Sequence, residues 1–83
     1  MGIETHIREQ LRTFIRESFF AEGFADEDSF LGGGIIDSLG VLQVVAFVET
    51  RFGVKVGDAD LVPENLDSVA RLARFIEGKK RAA

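Results

Sequence analysis

At 83 residues there is room for one domain, near the lower size at which a single hydrophobic core holds without staples, and the absence of cysteine excludes a disulfide framework and a thiolate metal site. The formal charge of −4 conceals an asymmetry: Ala21 to Asp67 carries 10 acids against 2 bases, while the rest of the chain carries 4 acids against 8 bases. An acidic middle repels nucleic acid phosphates and attracts basic protein surfaces, so a DNA or RNA role is not expected, although plain solvation would use the same charge.

The chain opens without the basic segment, apolar run and small-residue cleavage site of a secretory signal, and no apolar stretch approaches a membrane span. The expected location is the cytoplasm, and the expected unit is one domain over residues 1–83, with an ordered core over about 3–77 and a basic tail over 78–83.

Ile3, Ile7, Leu11, Phe14, Ile15 and Phe19 recur at helical spacing, with Glu4, Arg8, Glu9, Arg12, Arg16 and Glu17 on the other faces, which predicts an amphipathic first helix. From Ala21 to Asp37 the periodicity dissolves into a segment with four glycines and an acidic cluster. It reads as a long loop pinned to the core by Phe24, Phe30, Leu31, Ile35 and Ile36.

Leu39 to Val48 is apolar except for Gly40 and Gln43, a pattern that periodicity alone leaves open between helix and buried strand. The boundaries decide for a helix over Ser38–Phe52, because Asp37 and Ser38 are N-cap residues and Gly53 suits the left-handed position after a helix end. After an extended piece at Val54–Val56, Asp58 can cap one short helical turn that stops near Pro63. Leu66, Val69, Leu72, Phe75 and Ile76 then mark an amphipathic last helix, capped by Asp67 or Ser68 and ending at Gly78, with Lys79, Lys80 and Arg81 as a frayed tail. The expected fold is all-α: a four-helix bundle with a short third helix and a long loop between helices 1 and 2.

A helix apolar on every side cannot be buried on every side in so small a protein, so part of Leu39–Val48 should face a partner. At its N-terminus stands Asp37-Ser38-Leu39, delivered by Gly32-Gly33-Gly34. The stretch Gly34-Ile35-Ile36-Asp37-Ser38-Leu39-Gly40-Val41-Leu42-Gln43 resembles the phosphopantetheine attachment motif of acyl and peptidyl carrier proteins. Glu49-Thr50-Arg51-Phe52-Gly53-Val54 at the end of the helix and Leu66-Asp67-Ser68-Val69 before the last helix extend the likeness over most of the chain.

The resemblance implies that a phosphopantetheinyl transferase attaches 4′-phosphopantetheine from coenzyme A to the Ser38 hydroxyl, making a phosphoprotein whose arm carries an acyl or aminoacyl thioester. The implied partners are that transferase, an acyl- or aminoacyl-loading enzyme and downstream acyltransferases, and the implied role is a carrier without catalysis of its own in fatty acid or secondary metabolite biosynthesis; one exposed helix used transiently favours a monomer. A phosphodiester on a serine at a helix N-terminus would sit beside unsatisfied N–H groups, where an anion is favoured. A chain with no cysteine also fits one that imports its thiol on a cofactor.

Asp37 reads both as the positioner of the serine in the resembled family and as an ordinary N-cap carboxylate; Leu39 reads as half core, half contact. Leu42 and Ala46 lie one and two turns beyond Ser38 on its side of the helix and are candidate partner contacts, together with Gly40, Gln43 and Glu49, though core residues would look alike in sequence. Fatty acid carriers commonly continue Asp-Ser-Leu with acids along the helix; here Gly40 and Gln43 take such positions and no acid occurs between Ser38 and Glu49. That departure points to a more apolar recognition surface and to a specialised stand-alone carrier, of the D-alanyl, aminoacyl or secondary-metabolism kind. Gly40 weakens the first turn by up to about 1 kcal/mol, which is understandable if a side chain there would obstruct a partner or the arm, and trivial if glycine near a helix end costs little.

An enzyme would need a base near its nucleophile, and the single histidine, His6, lies on the first helix and reads as a surface residue. Asp26, Glu27 and Asp28 lack the spacing of a calcium loop and read as a solvated loop and cap; no Gly-Lys-Ser/Thr follows the triple glycine, so it is not a phosphate-binding loop. The competing function is a small helical protein-interaction module in which helix 2 binds a partner directly and Ser38 stays unmodified.

Overall fold

The computed structural model describes residues 3–82; the side chains of Ile3 and Glu4, read above as part of the apolar stripe and of the polar face, lie outside the described residues, as does Ala83. Four helices follow one another: α1 (Ile3–Phe19), α2 (Ser38–Phe52), α3 (Pro63–Leu66) and α4 (Val69–Ala82), with a single 3-10 turn at Asp58–Asp60 before α3. Among the described residues there is no strand, and none of the helices is long and apolar enough to cross a membrane. The expected all-α bundle is the observed fold.

The helical stripes converge as their spacing requires. Ile7, Leu11 and Ile15 of α1, Val44 and Val48 of α2, and Val69, Leu72 and Ile76 of α4 are almost wholly buried in one core. α1 and α3 both lie directly against α4. α2 meets α1 through aromatic rings: Phe14 of α1 stacks on Phe47 of α2 with centroids 4.0 Å apart, and within α2 Phe52 meets Phe47 edge-on at 6.0 Å. Of the five loop residues expected to pin the long connection, Phe24, Phe30 and Ile36 are buried and Ile35 is half-buried, whereas Leu31 is exposed.

Three boundaries differ from the sequence reading. Pro63 starts α3 instead of stopping a turn, because proline at the first helical position gives up an N–H that has no acceptor there and fixes φ near its helical value. The 3-10 turn begins after Gly57, so Asp58 is its first residue and not its cap. At the other end α4 runs through Gly78 to Ala82. Gly78 faces open space and costs only the backbone entropy of an exposed helical glycine, about 1 kcal/mol. The last turns are tied by Lys79 to Asp60 at 3.1 Å and by Arg81 to Glu77 at 3.6 Å. Ser68 caps α4, its hydroxyl accepting from the Arg71 N–H at 3.1 Å.

Candidate functional site

The loop from Phe20 to Asp37 delivers the first turn of α2, and polar contacts fasten it at two places. Near its start, the Asp26 carboxylate accepts from Arg8 at 3.0 Å and from Arg12 at 2.8 Å, while the Asp26 carbonyl accepts the Ala70 N–H at 2.9 Å. Arg12 also donates to the Phe24 carbonyl and lies over the Phe24 ring, 5.0 Å from its centroid. The acidic cluster is therefore more than a solvated turn: Asp26 joins loop to α1 and α4, and Asp28 accepts the Ala25 N–H at 2.8 Å.

Further along, Asp67 at the α3–α4 junction clamps the loop. Its carbonyl accepts the Phe30 N–H at 2.8 Å, and its carboxylate accepts the Leu31 N–H at 3.1 Å and the Ser29 hydroxyl. The Ile35 and Ile36 N–H groups then both donate to the Phe30 carbonyl, reversing the chain ahead of Asp37. Gly34 sits inside this reversal at φ +71, where a side chain would be strained.

Asp37 adopts an extended conformation, φ −90 and ψ 179, and its carboxylate accepts the Gly40 N–H at 2.7 Å. It is thus the N-cap of α2. Because Asp37 does the capping, the Ser38 hydroxyl is left with no hydrogen-bond partner among the described residues, and Ser38 is exposed. The cap reading applies to Asp37 and not to Ser38. The backbone N–H groups of Ser38 and Leu39 likewise find no acceptor among the described residues, as expected for the open end of a helix. A phosphodiester on that hydroxyl would have room, two free donors and the positive end of the α2 dipole beside it.

The faces of α2 are sorted. Leu39 is 75% exposed and Leu42 59%, so neither is core; Gln43 and Ala46 are exposed on the same outer surface. Gly40 points the other way and is buried. A Cβ at Gly40 would stand 2.5 Å from Ile36 Cγ2 and 2.8 Å from Phe19 Cε1. The obstruction expected of a side chain at this position is therefore internal: it would strike the loop and the end of α1, and a partner or the arm need not be invoked. Glu49 is exposed, and its carboxylate accepts the Val56 N–H at 2.9 Å, holding the extended piece after α2.

The exposed side of α2 continues into an apolar groove of about 280 Å³ between α2 and α3, lined by Leu31, Val41, Leu42, Leu61, Val62 and Leu66. Leu61 and Val62 were not singled out from sequence. The available signal was an adjacent apolar pair between Asp60 and Pro63, with no helical periodicity to assign it to a core. His6 is exposed on α1 near the far end of α2, beside Arg51, away from Ser38. Among the described residues no group of three or more His, Asp and Glu side chains could hold a metal ion.

A free, exposed serine hydroxyl at the tip of a helix thus stands next to an apolar outer face and groove. The family described as "Phosphopantetheine attachment site" matches residues 7–76, and the chain belongs to it. No curated protein matches the sequence significantly. Membership makes 4′-phosphopantetheine, covalently bound, the cofactor, and makes the protein a carrier of thioester-linked groups that works with a phosphopantetheinyl transferase and biosynthetic enzymes. When bound, the cofactor supplies the thiol this chain lacks; Ser38 presents an exposed, unbonded hydroxyl at the open N-terminal end of α2.

Proposed function

We propose that Ser38 is the residue that takes the arm, that Asp37 positions it, and that the chain is a stand-alone, non-catalytic carrier of the specialised kind, aminoacyl, D-alanyl or secondary-metabolic, in preference to the general carrier of fatty acid synthesis. The observation that carries the site is the division of labour between neighbours: Asp37 caps α2 and leaves the Ser38 hydroxyl exposed and unbonded. Transfer then needs only that the hydroxyl attack the β-phosphoryl group of coenzyme A within the transferase, giving a phosphodiester and releasing 3′,5′-adenosine bisphosphate.

The specialised reading is supported by the outer face of α2. Leu39, Leu42, Gln43 and Ala46 present no charge to a partner, and the nearest acid along the helix, Glu49, is engaged with the Val56 N–H. Docking on this face should be driven by apolar burial and respond weakly to salt.

Incubation with coenzyme A and a broad-specificity phosphopantetheinyl transferase should add one phosphopantetheine mass to the wild type and none to Ser38→Ala. An unmodified wild type, with a control carrier modified alongside, would favour the competing reading, a helical interaction module that binds through α2 without the arm.

A further inference from the structure

Phe20 is the one described non-glycine residue with positive φ, 55°, and it is also the most exposed large apolar side chain, at 90%. It occupies the position just past the end of α1, where the left-handed conformation is ordinarily supplied by glycine. A bulky residue there is strained, and at 90% exposure it recovers almost nothing by burial. Stability alone would select glycine or a polar residue.

The place of this outlier in the fold gives it a use. Its neighbour Phe19 reaches the first turn of α2, with Cε1 2.8 Å from where a Cβ of Gly40 would be. Phe20 therefore follows directly on a residue that packs at the first turn of α2, the turn that Asp37 caps and Ser38 begins. Beyond Arg16, which is exposed four residues before Phe20, the sequence as far as Arg51 has seven acids and no Lys or Arg. Glu17 and Glu22, on either side of Phe20, are exposed, as are Glu27 and Asp28, while Asp26 is already neutralised by Arg8 and Arg12.

We propose that Phe20 is an anchor for the phosphopantetheinyl transferase, inserting its ring into an apolar socket on that enzyme whose rim carries Lys or Arg facing Glu17 and Glu22. This rests on the reading of Ser38 as the attachment residue. An exposed aromatic held in a fixed, strained backbone is pre-placed for such a socket, and carboxylates around it steer a basic surface to it.

The test measures kcat/KM for arm attachment by a phosphopantetheinyl transferase with coenzyme A, together with thermal stability, for the wild type, Phe20→Gly, Phe20→Leu and Glu22→Gln. Phe20→Gly should melt several degrees higher, because the strain is gone, yet be loaded roughly tenfold more slowly, with Phe20→Leu between. A stabilised protein that is a poorer substrate cannot be explained by damage to the fold. Glu22→Gln should be loaded severalfold more slowly at low salt and equally at high salt. Wild-type loading of Phe20→Gly would overturn the anchor; no salt-dependent loss in Glu22→Gln would overturn the basic rim. If the wild type itself gains no mass, the reading of Ser38 fails and takes this inference with it.

Discussion

The two faces of α2 are both apolar in sequence and do different work. The inner face, Gly40, Val44, Val48 and Phe52, is buried and determines how close α2 comes to the rest of the bundle. The outer face, with Leu39 and Leu42 exposed beside Ser38, adds nothing to the core. Apolar content on a short helix in a small protein is thus no measure of burial: the excess beyond one stripe lies on the surface.

The largest effect that would break this comparison is a charge on each face in turn. Val48→Asp puts an unpaired carboxylate at a fully buried site, a cost of several kcal/mol against a total stability of about 5 kcal/mol for a chain this size, so the cooperative melt by circular dichroism should be lost. Leu42→Asp should melt within about 0.5 kcal/mol of the wild type while slowing transfer to a downstream enzyme roughly tenfold, and more than it slows arm attachment. Unfolding by Leu42→Asp would place that side chain in the core and erase the distinction.

A smaller effect sharpens the inner face. Helix propensity alone favours Gly40→Ala by about 1 kcal/mol, but the added methyl strikes Ile36 and Phe19, and overpacking of this kind costs about 1–3 kcal/mol. Chemical denaturation should therefore show net destabilisation; a gain of stability would mean that the α1–α2 contact has slack.

The smallest effect lies away from α2, at the turn before α3. The Asp60 carboxyl is held below its ordinary range first by accepting the Gly57 N–H and then by Lys79. A lowered folded value makes its contribution full above the unfolded Asp value of about 3.9 and lost as pH falls below that. Asp60→Asn should be slightly less stable than the wild type at pH 7, and the gap in urea midpoints should close in acid.

How much of this was legible beforehand follows from what each feature depends on. Ile7, Leu11 and Ile15, or Val69, Leu72 and Ile76, announce a buried stripe because the helical repeat is a local property, and Asp37 and Gly53 announce the ends of α2 because caps are local too. Pro63 misled because proline both ends and begins helices, and only the chain after it shows which. The inward direction of Gly40 and the joining of Leu61 and Val62 to Leu42 in one groove depend on how α1, α2 and α3 meet, which no short window of sequence contains. At the site itself, the identity of Ser38 as candidate was readable from the motif; that Asp37, and not Ser38, does the capping was left open between two adequate cap residues.

The division of labour between Asp37 and Ser38 is the central claim, and fragment mass spectrometry of the transferase-treated wild type tests it most directly. The phosphopantetheine should map to Ser38 in full. Its appearance on Ser18, Ser29 or Ser68, or its absence from a folded protein, would contradict the account.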